Sequence, residues 1–202
     1  MKIICIGRNY AKHAAEMNAD VPTSPMFFMK PDTSLLKENQ FYYPDFTRDL
    51  HHEIELVVKI TKHGKHIAPE HAGNYYEKIG LGIDFTARDI QKECKAKGHP
   101  WEKAKAFDNA AFLAPQFIDK NELDLNNISF SLKVNGETVQ DGNTTDMIFT
   151  IDQLICEVSK FVTLKQGDLI YTGTPEGVGA VNRGDKLEGY IGDARLFKLD
   201  IK

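Results

Sequence analysis

Two glutamates one residue apart are the first sign of chemistry. They sit in HHEIELVVKI, residues 51–60. As a β-strand, this stretch alternates its side chains between two faces. One face then carries His51, Glu53 and Glu55, and the other carries Ile54, Leu56, Val58 and Ile60. The apolar face suits a core. Carboxylates one pleat repeat apart, roughly 7 Å, repel unless water or a cation screens them. The strand alone leaves two readings: a half-buried strand with a solvated polar face, or a divalent-metal site.

A third carboxylate, Asp84, ends the apolar stretch Ile79–Asp84, where the chain turns toward a helix. It could cap that helix or act as a ligand. Glu53, Glu55 and Asp84 together would form an all-oxygen site, which suits hard cations such as Mg²⁺, Mn²⁺ or Ca²⁺. Three carboxylates exceed the charge of one divalent ion, so a cationic side chain is expected nearby. Lys105 and Lys30 are the candidates.

His13 and Glu16 are three apart on a helix expected over Tyr10–Ala19, which puts them on one face. A carboxylate beside an imidazole raises its basicity and fixes its tautomer, as in a general base. An exposed pair on a surface helix would look the same. Asn9 is a candidate N-cap for this helix, and Arg8 beside it stands at the positive helix end, where an anion is favoured. The loop TGTPEGVG, residues 172–179, could cradle an anion through its backbone N–H groups, or be a plain turn-rich loop. It is not a phosphate-binding loop of the Gly-Lys-Ser/Thr kind. His63 and His66 have H-x-x-H spacing but fall in a Lys- and Gly-containing stretch that reads as an exposed turn.

The elements that must hold these residues are mostly strands. Ile3–Ile6 and Met26–Met29 read as short apolar strands, and Phe41–Phe46, interrupted by Pro44, as an edge strand or extended loop. The two glycines of IGLGID signal close backbone approach. Thr86 with Asp89 has capping-box-like spacing for a helix running to about Lys97, with Gly98 as its left-handed stop. Asn135-Gly136 is a strong hairpin signal between Ile128–Val134 and Glu137–Gln140. Thr150 and Gln153 form a capping box for a helix with apolar Ile151, Leu154, Ile155, Val158, Phe161 and Val162. Lys186–Ile191 and Arg195–Ile201 read as a last antiparallel pair. No regular strand–helix alternation is present, which argues against a doubly wound sheet.

The 202 residues, 42% hydrophobic and 27% charged, are ordinary for a globular protein. With no repeat or linker, residues 1–202 count as one domain. The net charge of −4 with no basic block excludes nucleic acid as an expected partner. Three widely spaced cysteines, Cys5, Cys94 and Cys156, suit a reducing compartment. No apolar run reaches membrane-spanning length, and the five apolar residues before Arg8 are too few for a signal peptide. A cytoplasmic protein is the expectation.

Several motifs in this order, GRNYAKHAAEM, FFMKP, LHHEIEL, IDFTARDIQKECKAKGHPWEKAKAF, KVNGETVQDGNTTDMIF and YTGTPEGVG, resemble the fumarylacetoacetate hydrolase superfamily over nearly the whole chain. The likeness is to its short acylpyruvate hydrolase and oxaloacetate decarboxylase branch. It implies an α+β, mainly β fold of mixed β-roll type with a few peripheral helices, and a homodimer. It implies Mg²⁺ or Mn²⁺ (Ca²⁺ in crystals) held by Glu53, Glu55 and Asp84, and a lid helix carrying a His13–Glu16 dyad. Lys105 matches the family's site lysine, and Arg88, Gln91 and Thr174 match substrate-side positions, to which Arg8 is added from its place at the helix end. Two departures bear on substrate preference: Ala106 stands where a serine is usual, and FDNAAFLAP lacks the common Pro-x-Gly-Pro pattern. The implied activity is hydrolysis of a C–C bond in acylpyruvates, decarboxylation of oxaloacetate, or both, through a pyruvate enolate stabilised at the metal. The alternatives are an isomerase or decarboxylase of aromatic-degradation dioates, or a non-catalytic metal-stabilised binding domain.

Overall fold

Strand pairing organises the chain. The computed structural model describes residues 1–16, 20–36 and 38–202. Strand β1 (Ile3–Gly7) leads into helix α1 (Ala11–Glu16), followed by β2 (Met26–Lys30), β3 (Leu35–Leu36), β4 (Gln40–Phe41), β5 (Leu50–His52) and β6 (Ile54–Ile60). Helix α2 (Pro69–Ala72) precedes β7 (Tyr76–Asp84), β8 (Thr86–Ala87), α3 (Arg88–Lys97) and α4 (Glu102–Lys105). Next come β9 (Ala111–Leu113), β10 (Ile118–Asp119), β11 (Ser129–Val134), β12 (Glu137–Asn143) and α5 (Ile151–Phe161). The chain ends with β13 (Leu169–Tyr171), β14 (Gly179–Ala180), β15 (Lys186–Ile191) and β16 (Ala194–Ile201). The result is a mainly β, curled half-barrel with a few short helices, in line with the expected β-roll.

The large sheet has the order β2-β1-β13-β6-β7-β9-β3, with β10 also on β7. A five-stranded sheet, β12-β11-β15-β16-β4, packs over one face, and β14-β5-β8 form a small third sheet. Most pairs are antiparallel, but β1–β13, β3–β9 and β4–β16 are parallel. Ile54, Leu56, Val58 and Ile60 enter the main core with Leu132, Leu187 and Leu199 of the second sheet and Leu154, Ile155 and Val158 of α5. On the opposite face of the large sheet, Val57 joins Ile3, Cys5, Leu169 and Tyr171 in a second cluster. Every β6 residue except Lys59 is buried, so Glu55 does not lie on a solvated face.

The 51–60 stretch is not one strand. It breaks at Glu53, with β5 in the small sheet and β6 in the large one. The break is held from outside: Gln140 Oε1 accepts from the Ile54 amide, and the Glu53 carbonyl accepts from the Asp84 amide. The expected cap Asn9 and the expected capping-box partner Asp89 also have other uses. The Asn9 side chain donates to the carbonyls of Phe149 and Thr172 and accepts from the Phe149 amide. Asp89 accepts from Thr47 Oγ1, Arg48 N and Ile90 N, and Ala87 is the N-cap of α3, with no side-chain cap bond. The expected first helix is described only over Ala11–Glu16; its last positions, 17–19, lie outside the described residues.

Local signals held. Asn135 (φ 53°) and Gly136 (φ 90°) both take the left-handed turn conformation. Both bonds of the Thr150–Gln153 capping box are present, and Gly98 (φ 65°) stops α3. On α5, however, Phe161 is 64% exposed at the helix end, its ring 5.9 Å from that of Phe27. The close approach signalled by Gly82 is real: a Cβ there would lie 2.5 Å from the Phe112 carbonyl oxygen. Among the described residues no helix is long and apolar enough to cross a membrane.

Candidate active site

The break at Glu53 brings three acids together. Ile54 pairs with Ile83 and Glu55 with Gly82, so the start of β6 lies beside the end of β7. One carboxylate oxygen from each of Glu53, Glu55 and Asp84 lies within 4.8 Å of the other two. All three residues are at most 5% exposed. Among the described residues Asp84 caps no helix; it stands in a carboxylate cluster that could hold a metal ion.

Three cations surround the acids, so the expected compensating charge comes from both lysine candidates and from Arg88. Lys105 Nζ reaches Glu53 Oε2 at 2.6 Å and Asp84 Oδ2 at 2.8 Å. Lys30 Nζ lies 2.6 Å from Asp84 Oδ1, outside hydrogen-bond geometry, and donates to the Ala110 carbonyl at 2.8 Å. Arg88 Nη2 donates to Glu53 Oε1 at 2.5 Å and Nη1 to Gln91 Oε1 at 2.7 Å. Arg88 and Gln91 thus buttress Glu53 rather than stand free in the cleft. The loop at 172–179 is likewise occupied: Gly173 N donates to Glu55 Oε2 at 2.6 Å, and Gly177 N to Glu16 Oε1 at 3.2 Å. These two amides serve carboxylates of the chain, not a free anion.

Burial and charge act against each other here. Burial pushes the Glu53 carboxyl up, but Lys105 and Arg88 outweigh it and hold it well below the usual range. Burial, with Asp84 and Glu53 close by, pushes the Glu55 carboxyl up. Burial lowers the Lys105 ammonium, but Asp84 and Glu53 more than reverse this and raise it to about 12. A hard divalent cation fits this set. It would relieve the repulsion felt by Glu55, and the all-carboxylate oxygen set is the kind such a cation takes.

His13 on α1 is buried, and its Nδ1 lies 3.1 Å from Glu16 Oε2. The same narrow cleft, about 40 Å³, is lined by His13, Arg8, the three acids, Arg88, Gln91, Lys105 and Thr174. All ten positions singled out in the sequence therefore lie in or directly against one site. The larger cavity of about 720 Å³, between β3, β9 and β16, contains none of them. Sequence reasoning missed Lys95 and Trp101, which line the cleft, and the buried Gln140 behind it. A tryptophan in a stretch without a clear period carries no local signal of this role.

The chain is 46% identical over 189 residues to the oxaloacetate tautomerase YcgM of Escherichia coli, covering 92% of this chain and 86% of that one. It is 44% identical over 191 residues to the human mitochondrial oxaloacetate tautomerase FAHD1, covering 94% and 86%. Among solved structures, fumarylpyruvate hydrolase from Pseudomonas aeruginosa, in complex with Mn²⁺ and pyruvate, superposes with a TM-score of 0.92 at 36% identity, covering 100% and 89%. A 5-carboxymethyl-2-hydroxymuconate delta-isomerase from Mycobacterium smegmatis gives 0.85 at 31%, covering 99% and 78%. The family described as fumarylacetoacetate (FAA) hydrolase C-terminal matches residues 2–198, and the chain belongs to that family.

Proposed function

We propose that this chain is a divalent-metal-dependent enzyme of enolate chemistry. Its substrates are small 2-oxo acids with a second carbonyl or carboxylate two carbons on, oxaloacetate first among them. The observation that carries the reading is that three buried acids and a histidine held by Glu16 face one cleft. The names of the relatives, oxaloacetate tautomerase and fumarylpyruvate hydrolase, support it.

Glu53, Glu55 and Asp84 would hold Mg²⁺ or Mn²⁺, which when bound supplies Lewis-acid polarisation of a 2-oxo group. The remaining work falls to side chains. Glu16 holds His13 at Nδ1, which leaves Nε2 to take a proton. In keto–enol interconversion of oxaloacetate that proton comes from C3. In acylpyruvate cleavage it comes from a water that attacks the distal acyl carbon. Lys105, with its ammonium pushed up to about 12, stays charged beside the developing negative oxygen. Arg8 and Lys95 line the cleft and make no ion pair among the described residues, which favours a second carboxylate on the substrate. Phe28 and Trp101, with ring centroids 6.0 Å apart, wall the cleft against water.

Acylpyruvate hydrolysis and oxaloacetate decarboxylation both stay within this reading, because each passes through a pyruvate enolate. The reading takes residues 1–202 as one catalytic unit that works as a homodimer. The test is a turnover screen of oxaloacetate, acetylpyruvate and fumarylpyruvate with added Mg²⁺. Turnover of at least one that is lost with EDTA is the expected result. Full turnover with EDTA present would overturn the metal-dependent reading.

A further inference from the structure

Gln140 lies on β12, in the five-stranded sheet, and is 1% exposed. All four hydrogen-bonding positions of its amide are filled. Oε1 accepts from the Ile54 amide at 3.0 Å and from His52 Nδ1 at 2.8 Å. Nε2 donates to Thr174 Oγ1 at 2.9 Å and to the Pro175 carbonyl at 3.0 Å.

The orientation of this amide follows from its neighbours. A backbone N–H only donates and a backbone carbonyl only accepts. Ile54 therefore fixes the oxygen end and Pro175 the nitrogen end. Thr174 Oγ1 must then accept, and its own hydrogen is left for another partner. Thr174 is buried and lines the cleft with Glu53, Lys105 and Arg8.

The loop packs closely against this anchor. A Cβ at Gly177 would lie 2.2 Å from the Val139 carbonyl oxygen, and one at Gly142 would lie 2.8 Å from Pro175 Cγ. Strand β12 and the 172–179 loop are in direct contact on both sides of Gln140.

We infer that Gln140 is a positioning residue that makes Thr174 a hydrogen-bond donor into the cleft, aimed at an oxygen of the bound acid. The inference rests on the proposed function, which puts an anionic oxygen there. A purely structural tie between the two sheets would not depend on which way the Thr174 hydroxyl points.

Gln140→Glu separates the two roles. It keeps the shape and the acceptor end that Ile54 and His52 use. It replaces an end with two hydrogens by a carboxyl oxygen with at most one, which the Pro175 carbonyl requires, so Thr174 turns its hydrogen to that oxygen and offers lone pairs to the cleft. Calorimetry would titrate Mg²⁺ alone and then oxalate, a dicarboxylate stand-in for the enol acid, in the presence of Mg²⁺. The expected result is Mg²⁺ affinity no weaker than wild type and oxalate affinity lower by about 10- to 100-fold. On a Thr174→Val background, where no hydroxyl remains to invert, Gln140→Glu should change oxalate affinity by less than about threefold. Unchanged oxalate affinity in Gln140→Glu, or the same loss on both backgrounds, would overturn the inference. Gln140→Met, uncharged and of similar length, is read in the same two backgrounds if the buried carboxylate prevents folding. Failure of the wild-type protein to bind oxalate with Mg²⁺ would overturn the functional reading itself, and the inference with it.

Discussion

Glu55 Oε2 accepts a 2.6 Å hydrogen bond from the backbone N–H of Gly173, which ties the strand of the metal site to the loop that carries Thr174. The contact depends on a residue without a side chain. Gly173 has φ of 103°, and a Cβ there would lie 2.7 Å from Asn9 Cβ. Asn9 has no room to yield, since its amide binds Phe149 and Thr172. Gly173→Ala is therefore expected to cost about 1–3 kcal/mol of stability and to weaken Mg²⁺ binding. Denaturant melts with and without Mg²⁺ check both effects.

In the proposed function His13 takes the proton, and among the described residues it makes no hydrogen bond to the three acids. Its Nδ1 is held by Glu16, and Glu16 in turn accepts from Gly177 N. His13→Ala should lower kcat by about 10²- to 10⁴-fold, while Mg²⁺ affinity by calorimetry stays within about threefold. A loss of turnover under threefold would remove His13 from this role.

Acid sensitivity should have a source outside the site. Asp168 accepts from Lys2 N at 2.8 Å, Lys2 Nζ at 2.5 Å and Lys165 N at 2.7 Å, and so pins the chain start to β13. Burial pushes its carboxyl up, but these hydrogen bonds outweigh it and hold it below its ordinary value of 3.8. The folded state thus binds this proton less readily than the unfolded state, and stability rises with pH across that window. The contribution is complete above about pH 4 and is lost as pH falls through the lowered value. Asp168→Asn should cost about 1.5–3 kcal/mol at pH 7 and flatten the acid limb. Urea melts from pH 7 down to pH 3 would show it; an unchanged acid limb would contradict it.

What could be read from the sequence was local. Asn135-Gly136 announces its turn because both positions need φ above zero, and Thr150 with Gln153 announces its helix because the two side chains serve each other's backbone. The acids were legible as a spacing, but their burial was not, since a strand with a solvated face has the same alternation. The break at Glu53 had no local signal at all. It is held by partners distant in sequence, Gln140 at the Ile54 amide and Asp84 at the Glu53 carbonyl. The cap at Asn9 and the Thr86–Asp89 capping box fail for the same reason: Asn9 and Asp89 bond partners distant in sequence. Lys30 and Lys105 stood as alternatives in the sequence because nothing local shows that a single carboxylate, Asp84, meets both.

The central claim is that Glu53, Glu55 and Asp84 hold one divalent ion. Calorimetric titration of Mg²⁺ into metal-stripped wild-type protein, and into Glu53→Ala beside it, tests this most directly. One ion bound per chain in the wild type, and none in a Glu53→Ala variant that still melts cooperatively, is the result expected. Equal Mg²⁺ binding by the two proteins, or none by the wild type, would contradict it.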